Sequence, residues 1–152
     1  MIPATTSRVN DHTPDHVNER IARKTQANLE FYGSAGGASI ARRLAELDRE
    51  WDIERMLEAN AASAVLLGMY LSVTASRGWL LLPMAVGGFL LQHAVQGWCP
   101  PLIWLRRMGF RTASEIDHER YGLKVLRGDF ADLASASREL SDVRNVLDVV
   151  KQ

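Results

Sequence analysis

Between Glu58 and Arg106 the chain carries a single formal charge, Arg77, although the sequence on either side is densely charged. Arg77 divides this region into two apolar stretches, residues 59–76 and 78–97. A helix that crosses a bilayer needs about 17–25 mostly apolar residues, and each stretch falls in that range. The pattern therefore predicts a transmembrane helical hairpin turning at Arg77-Gly78. Averages conceal it. Mean hydropathy is only −0.12, because polar sequence on both sides dilutes the apolar middle.

The remaining composition mainly excludes. Eighteen basic and eighteen acidic residues among 152 cancel to a net charge of +0, which argues against a nucleic-acid partner, since such proteins usually show a strong basic excess. One cysteine, Cys99, rules out an internal disulfide or a multi-cysteine metal cage. The opening residues are polar and lack the apolar core of a signal peptide, so the hairpin is expected to act as its own insertion signal. Gly36-Gly37 does not fit a phosphate-binding loop.

Around the hairpin the pattern is helical and amphipathic. Residues 1–12 read as a flexible arm. Thr13-Pro14-Asp15 is a helix start, and the helix is predicted to run to about Tyr32, with Val17, Ile21, Leu29 and Tyr32 near one face. Gly33 to Gly37 breaks it. Ile40, Leu44, Leu47 and Trp51 then recur at helical spacing. With no breaker before Ala59, this helix is expected to feed into the first span. The acidic groups from Glu46 to Glu58 alternate with arginines, as on a solvated, ion-paired face.

Inside the first span, Asn60, Ala64, Gly68, Ser72 and Ser76 are spaced four apart and form a stripe of small or polar residues. Small residues let helices approach closely in lipid, where apolar burial gives no advantage. Gly87 and Gly88 offer the same in the second span. A turn at Arg77-Gly78 puts Gly68 level with Gly87, so Ala64, Gly68, Ser72, Gly87 and Gly88 are the predicted packing positions. Ordinary membrane-helix composition is the competing explanation. Asn60, His93 and Gln96 share one end of the hairpin and are expected to pair across it, since isolated polar groups in hydrocarbon are costly. Arginines flank both ends and only Arg77 lies in the turn, which by the positive-inside rule puts both termini in the cytoplasm. Trp79 would mark the outer interface, and Trp98 and Trp104 the inner one.

Pro100 and Pro101 are expected to stop the second span. Leu102 to Arg111 then reads as a surface segment with basic groups toward lipid phosphates. Thr112-Ala113-Ser114-Glu115 is a capping box opening a polar helix to about Arg127. Leu133, Ala136, Leu140, Val143, Leu147 and Val150 form either a short coiled-coil seam or a face packed on neighbouring helices. The expected architecture is all-α: a two-helix transmembrane hairpin at 59–97, preceded by cytoplasmic amphipathic helices at 13–58 and followed by an interfacial segment and cytoplasmic helices at 98–152.

Cys99 is the first candidate for chemistry, by position: it follows directly on a membrane helix. A reactive thiol needs a nearby cation or a helix N-terminus, and Arg106 and Arg107 are close in sequence. The alternative is an inert small apolar residue. His93 with Cys99 falls short of the ligand set of a zinc site, so neither a metal nor a cofactor is expected.

The elements Gly97-Trp98-Cys99-Pro100-Pro101 and Gly109-Phe110-Arg111-Thr112 resemble the YgaP-like two-helix transmembrane domain family over about residues 53–112. That family consists of small bacterial inner-membrane proteins, mostly of unknown function, some fused to a rhodanese (sulfurtransferase) domain. The resemblance implies inner-membrane location, hairpin topology and attention to Cys99. No rhodanese domain is recognisable here, so sulfurtransferase activity does not carry over.

Three readings follow. The first is a non-enzymatic inner-membrane protein, an accessory or assembly subunit of a larger membrane complex or a homo-oligomer, with lipids and other membrane subunits as partners. The second is a sulfur- or redox-linked module with Cys99 as thiol carrier. The third is a soluble bundle with two buried helices.

Overall fold

Seven α-helices account for most of the residues described by the computed structural model, which are residue 4 and residues 6–131. They are α1 (Arg8–Asp11), α2 (Asp15–Ser34), α3 (Gly37–Leu47), α4 (Ile53–Thr74), α5 (Leu81–Gln96, entered through a 3-10 turn at Arg77–Leu80), α6 (Pro100–Met108) and α7 (Ala113–Arg127). No strand occurs among the described residues, as the all-α expectation requires. The seam predicted from Leu133 to Val150 lies outside them.

The chain divides into two compact units. The first, Met1–Lys24 with Glu50–Ile116, holds the hairpin. Ile53–Thr74 and Arg77–Gln96 are each long and apolar enough to cross a membrane. Only 11% and 6% of their apolar windows are buried. Core helices of a soluble bundle would be mostly covered, so the third reading fails. The apolar surface of the spans faces outward, as lipid demands.

The first span does not grow out of the preceding helix. α3 ends at Leu47, and Asp52 restarts the chain as an N-cap, accepting a hydrogen bond from the Arg55 N–H at 2.8 Å. Trp51 lies in the break, not on a helix face, with the Arg55 guanidinium 4.3 Å from its ring centre. A cap supplies one of the first-turn N–H groups with an acceptor, and periodicity alone does not reveal such an interruption.

The hairpin turns earlier than the expected register. At Gly68, which is buried, an added Cβ would lie 2.6 Å from Pro83 Cδ and 3.3 Å from Leu82 Cβ. The close approach is real, but its partner is the start of α5 and not Gly87. An added Cβ at Gly87 or Gly88 meets nothing within 4 Å among the described residues. The reason is the turn itself: α4 closes at Thr74, the Ser76 N–H bonds to the Leu71 carbonyl at 3.2 Å, and the second helical segment already begins at Arg77.

Residues 8–11 of the expected flexible arm form α1, and Val9 is 3% exposed, in a core with Ile53, Leu57, Cys99, Leu102 and Leu105. Burying one valine contributes about 1.5 kcal/mol or more, enough to help hold a short helix that could not persist alone.

Pro100 and Pro101 open α6 instead of only ending α5. Proline is tolerated in the first turn because its missing N–H would be unbonded there anyway. The predicted capping box forms in full: the Glu115 N–H donates to Thr112 Oγ1 at 3.2 Å, and the Thr112 N–H donates to Glu115 Oε2 at 2.9 Å.

The second unit is Thr25–Arg49 with Asp117–Gln152. Ile40, Leu44, Leu47 and Leu123 are buried in it, and Gly122 packs so closely on Leu29 that a Cβ would lie 2.8 Å from Leu29 Cδ2. Fully buried Glu119 accepts from Asn28 Nδ2 at 3.0 Å and Arg43 Nε at 2.8 Å.

Candidate functional site

The predicted polar cluster at the end of the hairpin is only partly assembled. His93 lies in the last turn of α5 and is 3% exposed. Its Nε2–H donates to Glu54 Oε2 at 2.8 Å. A carboxylate accepts only, so Nε2 must carry the proton. Glu54, one turn before Glu58, is the acidic partner because α4 starts earlier than the apolar stretch does. Asn60 and Gln96 are exposed, and no hydrogen bond joins either to His93 among the described residues.

Glu54 accepts from two side chains. Its Oε1 accepts from Arg8 Nη2 at 3.0 Å, while Arg8 Nη1 donates to the Ala94 carbonyl at 2.9 Å. Arg8 therefore ties α1 to the start of α4 and the end of α5. Gly97 makes room for it. This residue closes α5 with φ of +80°, and a Cβ there would lie 2.6 Å from the Arg8 carbonyl oxygen. Only glycine meets both demands without strain.

Cys99 sits at the N-cap of α6 with 4% exposure. It packs in the core with Val9, Ile53, Leu57, Leu102 and Leu105. In His93, by contrast, Nε2 is committed to Glu54. Nδ1 is buried and has no hydrogen-bond partner among the described residues.

A groove of about 310 Å³ opens beside the thiol, between α4 and α5. Leu57, Ala61, Ala64, Val86 and Phe89 line it together with Cys99, and its walls are almost wholly apolar. Asn60 and Ala64 belong to this lining. Their place in the small-residue stripe leaves space instead of closing it. Ser72 is half-buried and donates within its own helix, to the Met69 carbonyl at 2.7 Å.

Two of the cations expected to serve Cys99 or lipid phosphates, Arg106 and Arg111, are buried and paired within the protein. Arg106 is 0% exposed. It donates to both oxygens of Glu115 at 2.6 and 2.8 Å, to Thr13 Oγ1, to Asn10 Oδ1, to Asn18 Oδ1 and to the Phe110 carbonyl. Burial pushes the Glu115 carboxyl up, but the Arg106 hydrogen bonds and charge and those from Thr112 outweigh it, and its pKa is lowered from 4.5. Arg111, also buried, pairs with Glu50 at 2.8 Å. Arg107 remains exposed, its carbonyl accepting from Arg20 at 2.7 Å. The capping box was the one sequence signal near this network; nothing in the spacing singled out Arg106 from Arg107.

No group of three or more histidine, cysteine, aspartate or glutamate side chains suited to a metal occurs among the described residues.

No curated protein and no solved structure matches the chain. Residues 52–115 match the family model described as inner membrane protein YgaP-like, transmembrane domain. Its limits fall on structural boundaries: Asp52 caps α4, and Glu115 completes the capping box of α7. With two helices of spanning length inside it, the segment 52–115 is similar to the YgaP-like transmembrane domain, a family described as inner-membrane proteins, and the chain is a membrane protein.

Proposed function

We propose that this protein serves as a non-enzymatic accessory or assembly subunit in the inner membrane, associating with other membrane-protein subunits or with itself. The observation that carries this reading is the uncovered second span. Only 6% of its apolar window is buried, and Gly87 and Gly88 border open space. Small residues on an open span let a further helix approach closely. The test is purification from native membranes in mild detergent. The reading expects the chain in a particle larger than a lipid-bound monomer, dispersed by Gly87→Leu or Gly88→Leu. A monodisperse monomer in native membranes, unaffected by either change, sinks it.

Both termini lie in the cytoplasm in this reading, supported by arginines on both flanks against Arg77 alone in the turn and by the positive-inside rule. A reporter fused after Gln152 should be active only as a cytoplasmic reporter, and one inserted at Arg77 only as an external one. The opposite pattern reverses the orientation.

A second reading, Cys99 as a working thiol of a sulfur- or redox-linked module, is supported by its place at the N-cap of α6, on the lining of an apolar groove. Under this reading Cys99→Ser abolishes the sulfur-dependent phenotype and labelling while abundance is unchanged. Under the first reading Cys99→Ser changes neither.

A further inference from the structure

Helix α6 starts against the apolar flank of the spans. Its first residues, Pro100 and Pro101, line a groove with Ala61, Ala64 and Leu90. Leu90 stands about 9 Å along the axis of α5 from its end at Gln96. The start of α6 is therefore level with the last turns of the span. One face of α6 is committed inward: Leu102, Leu105 and Arg106 are buried. The opposite face carries Trp104 and Met108, each 68% exposed, and Arg107, also exposed. Large apolar side chains left bare together mark a surface that something covers.

Arg107 does not stand alone on this face. Arg20 of α2 donates from Nη2 to the Arg107 carbonyl at 2.7 Å. Its guanidinium is thereby held at the C-terminal end of α6, where a cation is favoured. That bond uses one of five N–H donors. Lys24 lies one turn further along the same face of α2 and, like Arg20, is exposed. Elsewhere in this unit Arg8, Arg23, Arg106 and Arg111 each meet a carboxylate within 3.3 Å. Arg20 and Arg107 meet none among the described residues. Two uncompensated guanidiniums beside an exposed indole suit an anion with an apolar body.

We propose that the outer face of α6, together with Arg20, is a docking site for anionic phospholipid headgroups in the leaflet at this end of the hairpin. The lipid phosphate accepts charge-assisted hydrogen bonds from Arg20 and Arg107. Trp104 lies at headgroup depth, where an indole is favoured, and Met108 rests on the upper chain segments, as on the apolar side of an interfacial helix. Two observations select lipid over a protein partner. The face follows directly on a spanning helix, so the bilayer is already beside it. Its charge is complementary to the phosphates of that bilayer, which attract basic groups next to a span.

The full chain is placed in nanodiscs holding equal amounts of phosphatidylglycerol and phosphatidylcholine, and the lipids it retains are read by native mass spectrometry. Phosphatidylglycerol should be retained in excess. Each basic residue near an anionic surface strengthens binding about fivefold. Arg20→Gln combined with Arg107→Gln should therefore cut the excess by about tenfold or more, while Arg20→Lys combined with Arg107→Lys keeps most of it. Arg77→Gln, at the other end of the hairpin, should leave it unchanged. Phosphatidylcholine brominated near the glycerol end of its chains should quench the part of the fluorescence that Trp104→Phe removes, and aqueous acrylamide should not. The proposal is overturned by no excess, by an excess that survives the double glutamine change, or by one lost as fully with the lysine pair or Arg77→Gln. It is overturned equally by a Trp104 that acrylamide quenches and lipid bromine does not, as for a face in water, or that neither reaches, as for a face under a protein partner.

Discussion

Replacing Arg106 with methionine should open the junction between α6 and α7 without disturbing the spans. The arginine is 0% exposed and makes six hydrogen bonds, two of them to Glu115. Methionine fills similar space but leaves Thr13, Asn10, Asn18 and the Phe110 carbonyl without that donor and Glu115 without its cation. Breaking one partner of a buried pair costs about 3–5 kcal/mol. Glu115 keeps its bond from the Thr112 N–H at 2.9 Å and is 18% exposed, so the lower end, about 3 kcal/mol, applies.

Amide hydrogen exchange in nanodiscs reads this locally. Since each 1.4 kcal/mol is about tenfold, the amides of Phe110 and residues 115–116 should exchange about a hundredfold faster, while those of 60–72 stay unchanged. The loss also depends on pH with a definite sign. Glu115 has its pKa lowered in the fold, so its contribution is present above 4.5 and is lost as pH falls through the lower folded value. The difference between the unaltered chain and Arg106→Met should therefore be largest at neutral pH and shrink below pH 4.5. A change of less than about threefold in exchange at neutral pH, or a deficit that grows in acid, would refute the reasoning.

Gly68→Leu should separate the spans, because even a Cβ meets Pro83 Cδ at 2.6 Å; a loss of about 1–3 kcal/mol is expected, visible as a lower Tm in detergent, and an unchanged Tm would show that the helices do not touch there. Arg8→Gln removes the charge-assisted tie to Glu54, worth about 1.5–3 kcal/mol, and should raise the maleimide labelling rate of Cys99 about tenfold or more; an unchanged rate would mean that α1 does not restrict the thiol. Glu119→Ala strips a fully buried carboxylate from Arg43 and Asn28 and should destabilise the second unit by about 3–5 kcal/mol; limited proteolysis that cuts 37–47 no faster than before would contradict it.

Much of the fold was legible because its signals are local. An apolar run with one charge specifies two spans. Thr112 to Glu115 specifies a capping box. The spacing of Ile40, Leu44 and Leu47 specifies the buried face of α3. The candidate site was half legible: the position of Cys99 after a membrane helix marked it, and His93 stood out as polar in an apolar run. Its completion by Glu54 and Arg8 was not visible. These residues are 39 and 46 positions away from the groups they bind, and neither belongs to a recognisable spacing.

The sequence by itself determined that the chain is a membrane protein, that it carries two spans, and where α7 is capped, since hydropathy, length and a capping box depend on residues within a turn or two of one another. Tertiary structure decided what the charges do. It buried Arg106 on Glu115, although Arg107 beside it stays exposed, folded α1 onto the end of the hairpin, shifted the partner of Gly68 to Pro83, and set His93 on Glu54. The physical reason is common to all four. A buried charge or a close helix contact is fixed by which groups converge in space and can satisfy one another, and convergence across tens of residues leaves no periodic trace in the chain.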